Sequence, residues 1–116
     1  ASSPLFPKER YMYHYRLWKT WNKELNDAVT KRDSTKRLKF LLDKLIQELV
    51  ALKKWVDEDR QALIHELAQD LEAIRPEIEK PVQIRKTTKI IRKLEHNAKE
   101  VRVNFGIKAM EGYFPE

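Results

Sequence analysis

Cysteine is absent from all 116 residues, which removes disulfides, thiolate nucleophiles and every thiolate metal site together. The same absence fits a reducing compartment, so the expected location is intracellular, cytoplasmic or nuclear. Glycine occurs only at 106 and 112 and proline only at 4, 7, 76, 81 and 115, leaving no breaker between Lys8 and Arg75. Long helices are expected from such a distribution. No apolar run approaches the roughly 20 residues of a bilayer-crossing helix, so no membrane span is expected. The first eleven residues, ASSPLFPKERY, hold two prolines and no apolar core, unlike a secretory signal. Alanine at position 1 in place of methionine fits a processed chain or a segment of a longer one.

What is present is a balance of 41% apolar and 36% charged residues, too apolar for disorder and too charged for a lipid environment. The length suits one domain, 1–116. From Tyr11 the set Tyr11, His14, Trp18, Trp21, Leu25 and Ala28 steps by three and four along one stripe, and Pro7 suits a first helical position, which predicts a helix over 8–30. Asp33 and Ser34 are N-cap residues for a second rhythm through Leu38, Leu42, Leu45, Leu49, Leu52 and Val56, resuming at Leu63, Leu67, Leu71 and Ile74. With no glycine or proline inside it, this predicts one helix over 34–75, about 60 Å long. A break near 57–60, where Asp57, Glu58, Asp59 and Arg60 interrupt the stripe, is the alternative. Pro76 to Pro81 forces a turn, and Ile84, Thr87, Ile91, Leu94, Ala98, Val101 and Phe105 form a seam for a helix over 82–105 ending at Gly106. The fold class expected is all-α, an antiparallel three-helix bundle with a long central helix, or a four-helix variant if the chain breaks. The last helix should fold back on 60–75 and then on the 40s and 50s.

Charge is segregated. Residues 1–56 carry 13 basic and 6 acidic side chains, 57–80 carry 3 and 8, and 81–104 carry 7 and 2. Packing the last helix on 60–75 would set its cations beside an acidic neighbour and cancel part of the field. Yet Arg85, Lys89, Arg92, His96 and Lys99 step by four and three opposite the apolar seam, flanked by Lys86 and Lys93. Arg85, Lys86, Lys89, Arg92, Lys93 and Lys99 are therefore the candidates for an anionic partner, either phosphates or an acidic protein or lipid surface. A merely solvated face is the bland alternative.

Tyr11, Tyr13, Tyr15, Trp18 and Trp21 interleave with Arg10, Arg16 and Lys19, a mixture that stacks on bases or forms a core stripe. Core is the stronger reading for those on the seam. Arg10, Tyr13 and Leu17 fall off it and are candidates for an exposed protein contact. In the tail 106–116, Ile107, Met110 and Phe114 step by three and four, with Tyr113 beside them. This edge either folds back on the bundle or docks on a partner, and Met110, Tyr113 and Phe114 join the contact candidates.

Catalysis finds little support. His14, His65 and His96 fall on three different helical segments, and Gln69 stands where a HExxH zinc motif needs its second histidine. The carboxylates of Asp57, Glu58 and Asp59 fan around a helix and do not converge on one metal. No catalytic residue, metal or cofactor is assigned. The segment Tyr15-Arg16-Leu17-Trp18-Lys19 resembles the Leu-Tyr-Arg start of the small mitochondrial LYR-motif proteins, which are basic three-helix adaptors. His14 stands where that family has leucine, so two motif residues match, and nothing later in the chain adds to them. The expected function is a non-enzymatic helical protein-interaction or scaffolding module, part of a larger and nucleic-acid-associated assembly. The alternative is a direct nucleic-acid binder using the basic face of the third helix. A homodimer is also open to a long helix with exposed leucines.

Overall fold

Helix α1, Pro7–Thr30, opens on the proline whose fixed φ and missing N–H suit a first helical turn. The structure, a computed structural model, describes residues 7–114; the outermost residues of the expected 1–116 domain lie outside that range. After α1 the chain reverses through Lys31–Ser34, with Arg32 in the left-handed region at φ 57°. Ser34 then caps α2, Thr35–Ala51, its hydroxyl accepting the N–H of Arg37 at 3.1 Å.

The single long helix does not form. A 60 Å rod would also exceed the 52 Å longest dimension of the molecule. Leu52–Trp55 tightens into a 3₁₀ turn, Val56 is extended, and a new helix α3 runs Glu58–Glu72. The physical reason lies in the acidic residues themselves. Asp57 is an N-cap, accepting the N–H of Arg60 at 2.9 Å, and Glu58 and Asp59 occupy the first turn, where negative charge favours the helix dipole. Gln61 closes the corner, its Nε2 donating to the carbonyls of Lys53 and Val56, each at 3.1 Å. Leu67, Leu71 and Ile74 are buried as expected, while after the break Ile64 is fully buried and Leu63 only half-buried.

Pro76 sits in the first turn of a short helix α4, Arg75–Ile78, and the last helix α5 spans Thr87–Phe105, starting later than the expected 82. That late start moves only the first turns of the seam, while Leu94, Ala98, Val101 and Phe105 are buried as expected. Ile90 is buried, Ile91 packs at the edge of the core, and Ile84 is exposed.

Four long helices thus run up, down, up and down. Tyr11 Oη donates to the Phe105 carbonyl at 2.6 Å, tying the start of α1 to the end of α5. Arg75 binds Asp43 at 2.7 Å across α2, and the buried Asn97 donates to the Leu67 carbonyl at 2.9 Å between α5 and α3. Helix α5 therefore packs on α3, as expected for 60–75, and on α1 in place of the 40s and 50s of α2. The shared core holds Tyr11, Trp18, Leu25, Leu38, Leu42, Leu45, Leu49, Leu71, Leu94 and Phe105. Among the described residues no helix is long and apolar enough to cross a membrane.

Gly106 ends α5 in an extended conformation, not in the left-handed turn that a glycine C-cap commonly adopts. Glycine is needed for space: a Cβ there would stand 2.6 Å from the Arg102 carbonyl oxygen and 3.2 Å from the Tyr15 hydroxyl. The tail beyond it folds back. Met110 is buried and Phe114 meets Tyr11 with ring centroids 5.2 Å apart. Tyr113 lies under the Arg60 guanidinium, and its hydroxyl donates to Asp57 at 3.1 Å and accepts the Asp57 N–H at 2.8 Å.

Candidate functional site

Two surfaces gather the predicted site residues. The first lies on the α1/α2 hairpin. Trp21 meets Phe40 edge-on at 6.1 Å, and Arg37 pairs with Glu24, which sets the register of the two helices. Continued toward the start of α1, that register brings Arg10, Tyr13 and His14 against Val50, Ala51, Lys53, Lys54 and Trp55, around an open groove of about 580 Å³. His14 Nδ1 faces the buried Glu48 carboxylate at 2.5 Å, and its ring stacks on Trp55 at 5.4 Å and 24°. The histidine is thereby fixed as the floor of the groove, with Tyr13 edge-on beside it at 5.2 Å. Tyr13 is 57% exposed and Val50 40% exposed, large apolar side chains left open among the described residues. Lys54 lies over the Trp55 ring at 5.7 Å. Leu17, one turn beyond Tyr13, is half-buried.

Arg10, Tyr13 and Leu17 thus remain surface candidates, while Met110, Tyr113 and Phe114 do not. Of the two outcomes expected for the tail, it folds back onto Tyr11 and Asp57, which buries Met110 and leaves Tyr113 and Phe114 half-buried. Val50, Lys53, Lys54 and Trp55 were not foreseen as site residues. A hairpin register drawn about the 31–34 turn is the signal that finds them.

The second surface surrounds the start of α5. Lys86, Lys89, Arg92, Lys93 and Lys99 are exposed, and none has a carboxylate within 4.0 Å among the described residues. Arg85 is the exception and the correction. Because the helix starts at Thr87, Arg85 lies before it and is 6% exposed, its guanidinium donating to the Asp33 carbonyl at 2.9 Å, the Thr35 hydroxyl at 2.9 Å and the Lys80 carbonyl at 3.3 Å. It ties the 80s to the α1/α2 turn instead of facing solvent.

Three acidic side chains, Asp57, Glu72 and Glu77, hold structural posts. Hydrogen bonds from the Arg60 N–H and guanidinium keep the Asp57 carboxyl below the ordinary carboxylate range, and the Arg75 guanidinium does the same for Glu72. The Lys86 N–H and Lys80 ammonium likewise lower Glu77. Burial raises the phenol pKa of Tyr11 well above its usual value and that of Tyr15 in the same direction. Among the described residues no group of three or more His, Asp or Glu is placed to hold a metal ion. Tyr15, one of the two LYR-like residues, is part of the core. Compared with family models, curated proteins and solved structures, the chain matches none.

Proposed function

We propose that the chain is a non-enzymatic helical interaction module whose α1/α2 face docks an acidic, apolar helical segment of a protein partner within a larger assembly. One observation carries this reading. Exposed Tyr13 and Val50 and the edge of Trp55 share a groove whose charged lining residues, Arg10, Lys53 and Lys54, are all basic and unpaired among the described residues. Tyrosine, tryptophan and arginine are the side chains that dominate interface energetics, since they bury large area at small entropic cost. The channel between two antiparallel helices suits a third helix laid along it, anchored by apolar residues one turn apart. The cationic rim selects acidic flanks for that helix.

The test is a ¹H–¹⁵N titration with a synthetic helical peptide bearing leucines on one face and glutamates beside them, and with a twin in which lysine replaces glutamate. Shifts concentrate at Arg10, Tyr13, Val50 and Trp55, and Tyr13→Ala weakens binding by about 30-fold, the effect of losing about 2 kcal/mol at a hot spot. The lysine twin binds at least about tenfold more weakly. Absence of shifts at millimolar peptide, shifts elsewhere, or an unchanged Tyr13→Ala variant contradicts the reading.

A further inference from the structure

We propose that the groove at the start of α5 is a second binding site, independent of the docking face, for the phosphodiester backbone of nucleic acid. The groove is open, about 700 Å³, and lies between the α1/α2 turn and the first turns of α5. Among the described residues six basic ones line it, Arg32, Arg85, Lys86, Lys89, Arg92 and Lys93, together with the hydroxyls of Thr87 and Thr88 and no carboxylate. The acid beside it, Glu77, is already engaged by the Lys80 ammonium at 3.1 Å and the Lys86 N–H at 3.2 Å.

Arg85 supplies a separate reason to expect an anion. Among the described residues its buried guanidinium meets only neutral oxygens, and its Nε has no acceptor. A cation taken out of water without a counter-charge is costly, and a phosphate in the adjoining groove offsets that cost at short range. Among the described residues no side chain caps α5, so the positive end of a 19-residue helix adds to the same field.

Extent and shape select a polymer. Exposed cations continue from Lys89 to Lys99, about 15 Å along the helix at 1.5 Å per residue, which spans about four phosphates of one duplex strand. Arg32, held by a 3.0 Å bond to the Val82 carbonyl, raises the opposite wall. A strand enters such a concavity, whereas a flat layer of lipid headgroups reaches only its rim. Among the described residues no aromatic ring lines the groove, so bases are not stacked and recognition is independent of sequence.

The test is anisotropy of a labelled duplex of about 20 base pairs, with phosphatidylserine vesicles as the second arm. The duplex binds at micromolar level in about 50 mM salt, and four phosphate contacts make it about 100-fold weaker at about 200 mM. Lys89→Glu, Arg92→Glu and Lys93→Glu together abolish binding with the helical circular dichroism retained, and Arg32→Ala costs about tenfold from the opposite wall. Should the triple variant unfold, Lys89→Gln and Arg92→Gln singly decide, each lowering the salt slope by about one. No duplex binding at about 50 mM salt, an undiminished slope in the single variants, or vesicle binding without duplex binding overturns the proposal.

Discussion

The groove of Tyr13 and Trp55 and the groove of Lys89 and Arg92 carry charge of the same sign, yet one is floored by aromatic rings and the other by two threonine hydroxyls. Rings give a partner apolar area to bury, a gain that salt scarcely touches. Hydroxyls and ammonium groups in water give charge neutralisation, which salt erodes steeply. The acidic segment makes the difference plainer. Asp57, Glu72 and Glu77 are engaged in a cap and in ion pairs, whereas Lys86, Lys89, Arg92 and Lys93 have no carboxylate partner among the described residues. Net charge therefore says less about function than which charges the fold has already used.

The largest expected effect removes the frame beneath both grooves. Leu45 and Leu49 are fully buried, and Leu45→Ala or Leu49→Ala should cost about 2–5 kcal/mol in denaturant unfolding. A loss below about 1 kcal/mol would mean that the helices do not share one core. Deleting residues 107–116 separates the two surfaces. It uncovers the core under Met110 and Phe114 and frees Asp57, near Trp55, so stability should fall by about 2–4 kcal/mol. Peptide binding should weaken while duplex binding, at the other end of the bundle, stays the same. Unchanged stability after the deletion would contradict the folded-back tail.

A smaller effect is the pH profile. Asp57, Glu72 and Glu77 have folded pKa values below their unfolded ones, so the stability they contribute is present above about pH 4 and lost as pH falls through the lowered values. The phenols of Tyr11 and Tyr15 are raised, so the unfolded state ionises first and stability declines above about pH 10. Thermal melts across pH check both limbs, and a melting temperature still rising below pH 4 would contradict the first.

Much of the fold was legible because it rests on period and caps. The stripe from Tyr11 to Ala28 and the leucines from 38 to 52 mark a two-helix hairpin, and Ser34 marks its second start. The break near 57–60 stood only as the alternative because no glycine or proline marks the corner. Its signal is an aspartate followed by two acids, the pattern of a helix start, which reads equally as a charged stretch of a continuing helix. Arg85 escaped for a related reason: two residues before a helix, its direction is set by a turn and not by helical period. Tyr13 was legible as an exposed aromatic, whereas Val50 and Trp55 become its neighbours only through the hairpin register.

The measurement that tests the docking face most directly is the peptide titration run at about 50 and about 500 mM salt, beside the duplex titration. Apolar anchoring at Tyr13, Val50 and Trp55 predicts that peptide affinity falls less than about tenfold over that range while duplex binding disappears. A peptide affinity that falls as steeply as that of the duplex would show that the aromatic groove adds nothing to its charge.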